Sequence, residues 1–205
     1  MNNYDTLGAV YDEWFMENDK LFAAECSAVA ALLDEGVEYR EIGVGTGIFA
    51  EKLGIREGVE PAEDMARFAR KRGIRVIGGV AEKLPYPADS AEGLVMITVD
   101  PFFTDVNAAF GEAYRALKEG GSFVVAFIDR ETPLGAGYEE HKDESDFYRG
   151  ATFRTHDEIR AIAENAGFTY VRSVQTVFAL DNAAQEVKEG HGEGVFAVAK
   201  FVKMR

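Results

Sequence analysis

The chain has a single cysteine, Cys26, and only three histidines, His141, His156 and His191. One thiol cannot close an internal disulfide, and no Cys/His group has the spacing of a zinc site, so no metal is expected. Basic residues are scarce: 22 Lys and Arg stand against 36 Asp and Glu, a formal net charge of -14. Neutralising phosphates takes Lys and Arg, so this balance disfavours nucleic acid as a partner, and an anionic membrane surface for the same reason. Long apolar runs are missing too. None approaches the ~20 residues that span a bilayer, and the opening Met1–Asp12 stretch lacks the apolar core of a secretory signal. The cytoplasm is the expected compartment. What remains is an ordinary globular composition, 47% hydrophobic and 28% charged over 205 residues. That suits one domain, as a monomer or homodimer.

Along the chain, helical patterns alternate with short apolar runs, the signature of a doubly wound α/β sheet. Phe22, Cys26, Val29 and Leu33 share a face of a first helix at about Lys20–Leu33, part of an N-terminal helical cap spanning about residues 1–34. Strands are predicted at Val37–Ile42, Arg56–Glu60, Ile74–Ile77, Leu94–Val99 and Phe123–Ile128. Pro61 is placed at the first position of the helix after strand 2, with Glu63 and Asp64 in its first turn, Arg70–Arg72 in its last and Gly73 beyond it. A further helix carries Phe110, Ala113, Tyr114 and Leu117, closed by Gly120-Gly121. The polar Asp129–Gly150 stretch is too long for an ordinary connection and reads as a lid-like loop. Thr155 with Glu158 forms a capping box for the last helix. Two closing runs, Phe168–Phe178 and Val195–Val202, joined by a polar link, predict an antiparallel pair at the sheet edge.

Two features point to a ligand. Glu41-Ile42-Gly43-Val44-Gly45-Thr46-Gly47 lies between a strand and a helix, where glycines let a ligand reach the main chain and free N–H groups attract polar groups. The dinucleotide fingerprint is G-x-G-x-x-G, and here the third glycine comes one residue early. Glu60, near the end of strand 2, can accept two hydrogen bonds from a ribose diol, or can cap the helix that follows Pro61.

With these blocks in place the chain resembles the class I S-adenosylmethionine-dependent methyltransferases, and within them the small-molecule group that includes ubiquinone and menaquinone biosynthesis enzymes. The resemblance rests on Tyr11-Asp12-Glu13-Trp14, the Glu41–Gly47 turn, Gly58-Val59-Glu60-Pro61-Ala62, Gly79-Val80-Ala81-Glu82-Lys83-Leu84-Pro85 and Glu112–Gly121, in that order over nearly the whole chain. It implies a Rossmann-like, mostly parallel seven-stranded sheet of order 3-2-1-4-5-7-6, with strand 7 antiparallel, and S-adenosylmethionine as cofactor. Glu41 would hold the methionyl amino end, with Gly43, Gly45, Thr46 and Gly47 against it. Glu60 and Pro61 would lie at the ribose, and Ala81 and Val99 at the adenosyl pocket. The group usually has Asp where this chain has Val80; Glu82 is the candidate substitute.

Methyl transfer from a sulfonium is an in-line displacement that needs alignment and a dry site more than a dedicated catalytic group. Candidate catalytic residues are Tyr11, Asp100 and His141; Tyr11, Trp14, Phe102 and Phe103 are candidate acceptor contacts, and aromatic faces suit a sulfonium. Asp100-Pro101-Phe102-Phe103 also faintly resembles the Asp/Asn-Pro-Pro-Tyr motif of amino-group methyltransferases. The acidic residues Glu139, Glu140, Asp143, Glu144 and Asp146 favour a neutral or cationic small molecule over an anion. Rival readings are a module that binds S-adenosylmethionine without turnover and an NAD-dependent oxidoreductase.

Overall fold

The structure is a computed structural model and describes residues 3–145 and 147–204. An N-terminal helix, α1 (Asn3–Glu17), breaks at Asn18 into α2 (Asp19–Ala30). Next come β1 (Tyr39–Ile42), α3 (Ile48–Leu53), β2 (Glu57–Val59), α4 (Glu63–Lys71) and β3 (Arg75–Ile77). β4 (Ala91–Ile97), α5 (Val106–Ala116), β5 (Leu117–Ile128) and α6 (Pro133–His141) follow. The chain closes with α7 (His156–Asn165), β6 (Thr169–Thr176), β7 (Lys188–Glu189) and β8 (Phe196–Val202). The sheet has the order β3-β2-β1-β4-β5-β8-β6-β7. β1 to β5 pair in parallel, and β8 runs antiparallel to both β5 and β6. This is the expected order with β8 as the antiparallel strand; the two-residue β7 adds an edge rung that the sequence does not announce.

Both faces of the sheet are covered. Along β4, Leu94 and Met96 face one core while Val95 and Ile97 face the other, and β5 repeats the alternation with Phe123, Val125 and Phe127 against Val124, Ala126 and Ile128. Two apolar sets at period 2 are why these strands read as continuous apolar runs. Val29 of α2 with Ile48 and Phe49 of α3 close the first core; Phe110 and Ala113 of α5 with Ile159 and Ala163 of α7 close the second. No helix of the described residues is long and apolar enough to cross a membrane.

Three local expectations are corrected. α4 starts at Glu63, not Pro61, because the Ala62 N–H donates to Glu60 Oε1 at 2.9 Å and holds Pro61 in a turn ahead of the helix. Gly120-Gly121 does not close α5: the helix ends at Ala116, and the pair lies inside β5, where the Gly120 N–H donates to the Lys203 carbonyl at 2.8 Å. The 129–150 stretch is not a plain loop. Pro133 opens α6, and Thr132 Oγ1 accepts from the Gly135 N–H at 3.0 Å, as an N-cap should. A short 3-10 turn, Lys142–Glu144, follows. Gly135 and Gly137 lower helix propensity and conceal the element. Gly135 is required there, since a Cβ would meet the Asp129 carbonyl oxygen at 1.9 Å. Asp146 of the acidic run lies outside the described residues. The Thr155–Glu158 capping box forms as expected.

α1 is fastened by one guanidinium. Arg72, at the end of α4, donates to Asp12 Oδ2 of α1 at 2.8 Å, to Glu51 of α3 at 3.0 Å and to the Thr46 carbonyl at 2.9 Å. Asp12 is buried, so removing its partner strands a carboxylate. Arg72→Ala should cost about 2 kcal/mol of stability, measured as a lowered urea midpoint at unchanged slope; an unshifted midpoint would show that α1 is held otherwise.

A second buried pair sits after β4. Arg154 Nη1 donates to the Asp100 carbonyl at 2.8 Å and to its Oδ2 at 3.3 Å, while Oδ1 has no partner. Burial pushes the Asp100 carboxyl up to about 7 against the pull of Arg154. A carboxyl that titrates near 4 when unfolded and about 7 when folded takes up a proton on folding, so its contribution to stability falls as pH rises across that window. Asp100→Asn removes this titration. Between about pH 5 and about pH 8, the melting temperature of the variant should fall less than that of the parent; equal slopes would refute the assignment.

Candidate active site

The sheet order reverses between β1 and β4, and a crevice opens at their carboxyl ends, as such topologies dictate. It holds a cavity of about 420 Å³ lined by the turn after β1, the end of β2, the 79–82 segment and the 97–104 segment. The turn is forced by crowding. Gly43 has φ +76°, and a Cβ there would lie 2.4 Å from Val99 Cγ2. Gly47 has φ +78°, and a Cβ would lie 2.5 Å from Ile74 Cδ1 and 2.9 Å from Ala69 Cβ, so this glycine serves the packing of α4 rather than the cavity. Gly45 alone looks onto open space, with nothing nearer to a Cβ than Met65 Cε at 3.8 Å.

Carboxylates line this crevice. Glu60 Oε2 accepts from the Gly45 N–H and Oε1 from the Ala62 N–H, each at 2.9 Å. The capping reading of Glu60 is therefore correct in part, yet each oxygen keeps a lone pair, and Glu60 lines the cavity. Burial raises its pKa despite those two N–H donors. Glu41 is buried, with Oε2 lacking any hydrogen-bond partner. Burial, and then the neighbouring Glu60, raises its pKa well above the ordinary range. Thr46 Oγ1 is likewise buried and unpartnered. Glu41 and Thr46 both line the cavity, so their unpartnered oxygens are placed where a ligand can supply the missing donors. A cationic amino group beside Glu41 and a diol beside Glu60 suit the two polar ends of S-adenosylmethionine, so the residues fit that group.

The other predicted cofactor residues, Pro61, Ala81, Glu82 and Val99, also line this cavity. The Glu82 carboxylate is engaged: Oε1 accepts from the Thr104 N–H at 2.8 Å and more weakly from that of Asp105, tying the segment to the start of α5. Val80 stays exposed at the rim.

A second cavity, of about 460 Å³, adjoins the first and shares Tyr11, Phe147 and Tyr148 with it. Its walls are largely aromatic and apolar: Trp14 and Phe15 of α1, Leu134 and Tyr138 of α6, and Leu180. Tyr11 packs edge-on to Phe15 and Phe147, with centroids at 4.9 and 5.7 Å. Tyr148 stacks beside Phe102 and meets Tyr138 edge-on at 5.7 Å. Tyr11 thus stands between the two cavities. Its hydroxyl is held above the usual phenol range by burial, then by Glu25 and Glu41. Of these two cavities Trp14 lines the aromatic one, Phe102 and Phe103 the cofactor one, and His141 the exposed rim of the aromatic one. Asp100 lines neither; it opens a 3-10 turn, Asp100–Phe102, and is buried against Arg154.

Sequence reasoning missed Glu25, Thr98, Tyr138, Phe147 and Tyr148. Glu25 carried a signal: it falls four residues from Leu21 and from Val29, both buried, and so interrupts an apolar stripe with a charge. Thr98 carried none, since only the fold shows its φ of +50°, a costly conformation for a β-branched residue that recurs at functional sites.

The fold also gathers His156, Asp157 and His191, whose ligand atoms lie within 4.8 Å of one another. The two rings stack at 3.6 Å with only 5° between their planes. An ion in the plane of one ring is out of the plane of the other, so this is a packing arrangement. The buried His156 ring has Nε2 at 2.7 Å from Ser173 Oγ, and burial followed by His191 lowers its pKa.

Comparison with known proteins agrees with this geometry. A family profile described as a methyltransferase domain matches residues 40–125. A Thermotoga maritima crystal structure described as an S-adenosylmethionine-dependent methyltransferase, possible histamine N-methyltransferase, is 41% identical, covers 98% of this chain and 97% of its own, and superposes with a TM-score of 0.93. An uncharacterized Methanocaldococcus jannaschii protein is 37% identical over 206 residues and the full length of both chains. A Geobacter sulfurreducens malonyl-[acyl-carrier protein] O-methyltransferase is 32% identical across 82% of this chain and 67% of its own. The NAD reading falls with the glycine spacing and these relatives: the chain is a member of the S-adenosylmethionine-dependent methyltransferase family and an enzyme of that kind.

Proposed function

We propose that residues 1–205 act as one methyltransferase domain whose acceptor is a small, partly apolar molecule, neutral or cationic, held in the aromatic cavity. The observation that carries this reading is the pair of contiguous cavities, one lined by Glu41 and Glu60 at the switch point, the other aromatic, meeting at Tyr11, Phe147 and Tyr148. S-adenosylmethionine supplies, when bound, a methyl carbon made electrophilic by its sulfonium. The chain's own residues do the rest. The free Glu41 oxygen holds the cationic amino end, assisted by Thr46. The remaining Glu60 lone pairs take the ribose hydroxyls. Gly45 admits the ligand to the main chain, Gly43 lets the turn pass Val99, and Pro61, Ala81 and Val99 flank the adenosyl group. Tyr11 and Tyr148 exclude water where the cavities meet and offer aromatic faces to positive charge. Alignment of acceptor and methyl carbon for in-line displacement, in a site that sheds water, is the main contribution asked of the protein.

The enclosed shape and the carboxylates around it argue against RNA, DNA or polyanionic metabolites as acceptors. The Thermotoga relative's description, a possible histamine N-methyltransferase, is in keeping with a small-molecule acceptor. A screen for S-adenosylhomocysteine release across amines, phenols, quinols and carboxylic acids tests the reading. Robust methylation of nucleic acid with no small-molecule turnover would overturn it.

Two substitutions probe the cofactor side. Glu60→Ala removes a charged acceptor and should weaken S-adenosylmethionine binding by about 1.5–3 kcal/mol, read by calorimetry on the folded variant; unchanged affinity would remove Glu60 from the site. Gly43→Ala places a methyl against Val99 at a left-handed φ, so it should cost about 2 kcal/mol of stability. Adding Val99→Ala should recover part of that loss in urea titrations. No recovery would show that the clash with Val99 is not what the glycine avoids.

A further inference from the structure

Beneath the aromatic cavity lies a small pocket of about 30 Å³ whose lining joins Glu25 to Thr98, Trp14, Tyr138 and Tyr148. Trp14, Tyr138 and Tyr148 also line the aromatic cavity, and Thr98 and Tyr148 also line the cofactor cavity. Glu25 lines only the small pocket, which shares Trp14, Tyr138 and Tyr148 as common walls with the aromatic cavity. It is partly buried, and among the described residues it has no hydrogen bond or ion pair of its own. The titratable groups that sense its charge are Tyr11, Cys26, Tyr138 and Tyr148, none of them a cation. Among the described residues lining these three cavities, Lys142 is the one Lys or Arg, and its ammonium is already held by Glu139 at 2.6 Å.

A carboxyl buried among aromatic rings is expensive to leave charged and unpaired. Accordingly burial pushes Glu25 up to about 8. A structural carboxylate would be held by a basic partner, as Asp12 and Asp100 are here. Glu25 shares its pocket with Trp14, Tyr138 and Tyr148 instead, and a carboxylate beside tyrosine and tryptophan rings can receive an ammonium group, combining ion pairing with cation–π attraction.

We infer that Glu25 is the specificity-determining residue of the acceptor pocket and that it selects a small molecule bearing a basic amine, with Tyr11, Trp14, Tyr138 and Tyr148 surrounding that cationic group. This rests on the aromatic cavity being the acceptor site. It goes beyond that reading by naming the anionic partner and by separating amines from phenols, quinols and acids.

The test uses the full chain saturated with S-adenosylhomocysteine and two matched sets of probes: 2-phenylethylamine, 2-phenylethanol and phenylacetate; and tryptamine, tryptophol and indole-3-acetate. Calorimetry at about pH 8 keeps the amines cationic. In each set the amine should bind about tenfold or more tighter than the alcohol, and the acid weakest. Glu25→Gln, which keeps shape and hydrogen bonding, should erase the amine preference while S-adenosylhomocysteine affinity stays unchanged. Glu25→Asp should keep the preference at reduced affinity, and serves if the glutamine variant does not fold. Equal or tighter binding of the alcohols or acids, no binding by any probe, or an amine preference that survives Glu25→Gln would overturn the inference. Failure of S-adenosylhomocysteine to bind the parent chain would instead count against the cofactor site, so the two failures are distinguishable.

Discussion

The constraint on which the rest of the site depends is steric, at the turn that leaves β1. There the main chain passes within touching distance of Val99 on one side and of Ala69 and Ile74 on the other, so side chains at Gly43 and Gly47 are impossible without displacing their neighbours. Everything functional hangs from that passage. It brings the Gly45 N–H onto Glu60, sets Glu41 at the mouth of the crevice, and exposes the Thr46 carbonyl for Arg72 to grasp. Through Arg72 the same turn holds α1, and with it Tyr11 and the aromatic cavity. The cofactor and acceptor sides of the site are thus not independent: one guanidinium ties the wall of the second cavity to the floor of the first.

A second feature is how unevenly charge is satisfied. Surface carboxylates such as Glu63 and Glu92 have basic partners, and hydrogen bonds from Arg70 and Lys118 hold their pKa values down. Around the site the reverse holds. Glu41, Glu60 and Glu25 are all shifted upward by burial, and no arginine or lysine is paired with any of them. This is the pattern of a protein whose ligands complete its electrostatics. A chain carrying -14 overall has carboxylates to spare on its surface; putting three in a partly enclosed crevice has a cost that positively charged ligands offset.

Much of this was legible in the sequence. The strands, the glycine turn and Glu60 follow from local patterns whose physics is local: crowding at a turn, a carboxylate at a strand end; the strand order and the part given to Glu41 came only with the family resemblance. The elements that were misread share a different cause. α6 was hidden because Gly135 and Gly137 suppress helix propensity, whereas its existence depends on a Thr132 cap and on packing of Leu134 and Tyr138 against the core. β7 is too short to carry a pattern. Asp100 looked like a crevice residue because it follows β4, yet Arg154, 54 positions away, draws it inward. The walls of the aromatic cavity come from α1, α6, the residues just after it and Leu180, pieces whose proximity no periodicity encodes.

Thr98 shows how the strain is arranged. It ends β4 at a φ of +50°, where a β-branched residue is disfavoured, and its N–H donates to the Ala126 carbonyl at 2.8 Å, so the strand ladder itself holds it in place. The payoff of that conformation is positional. Thr98 lines both the cofactor cavity and the small pocket of Glu25, and its side chain lies by the Tyr11 hydroxyl. The left-handed backbone ends the β4 ladder at this point, where the chain turns from the sheet into the crevice, and the hydrogen bond to β5 holds that disfavoured conformation in place between the two spaces, as strain at a site requires its surroundings to do.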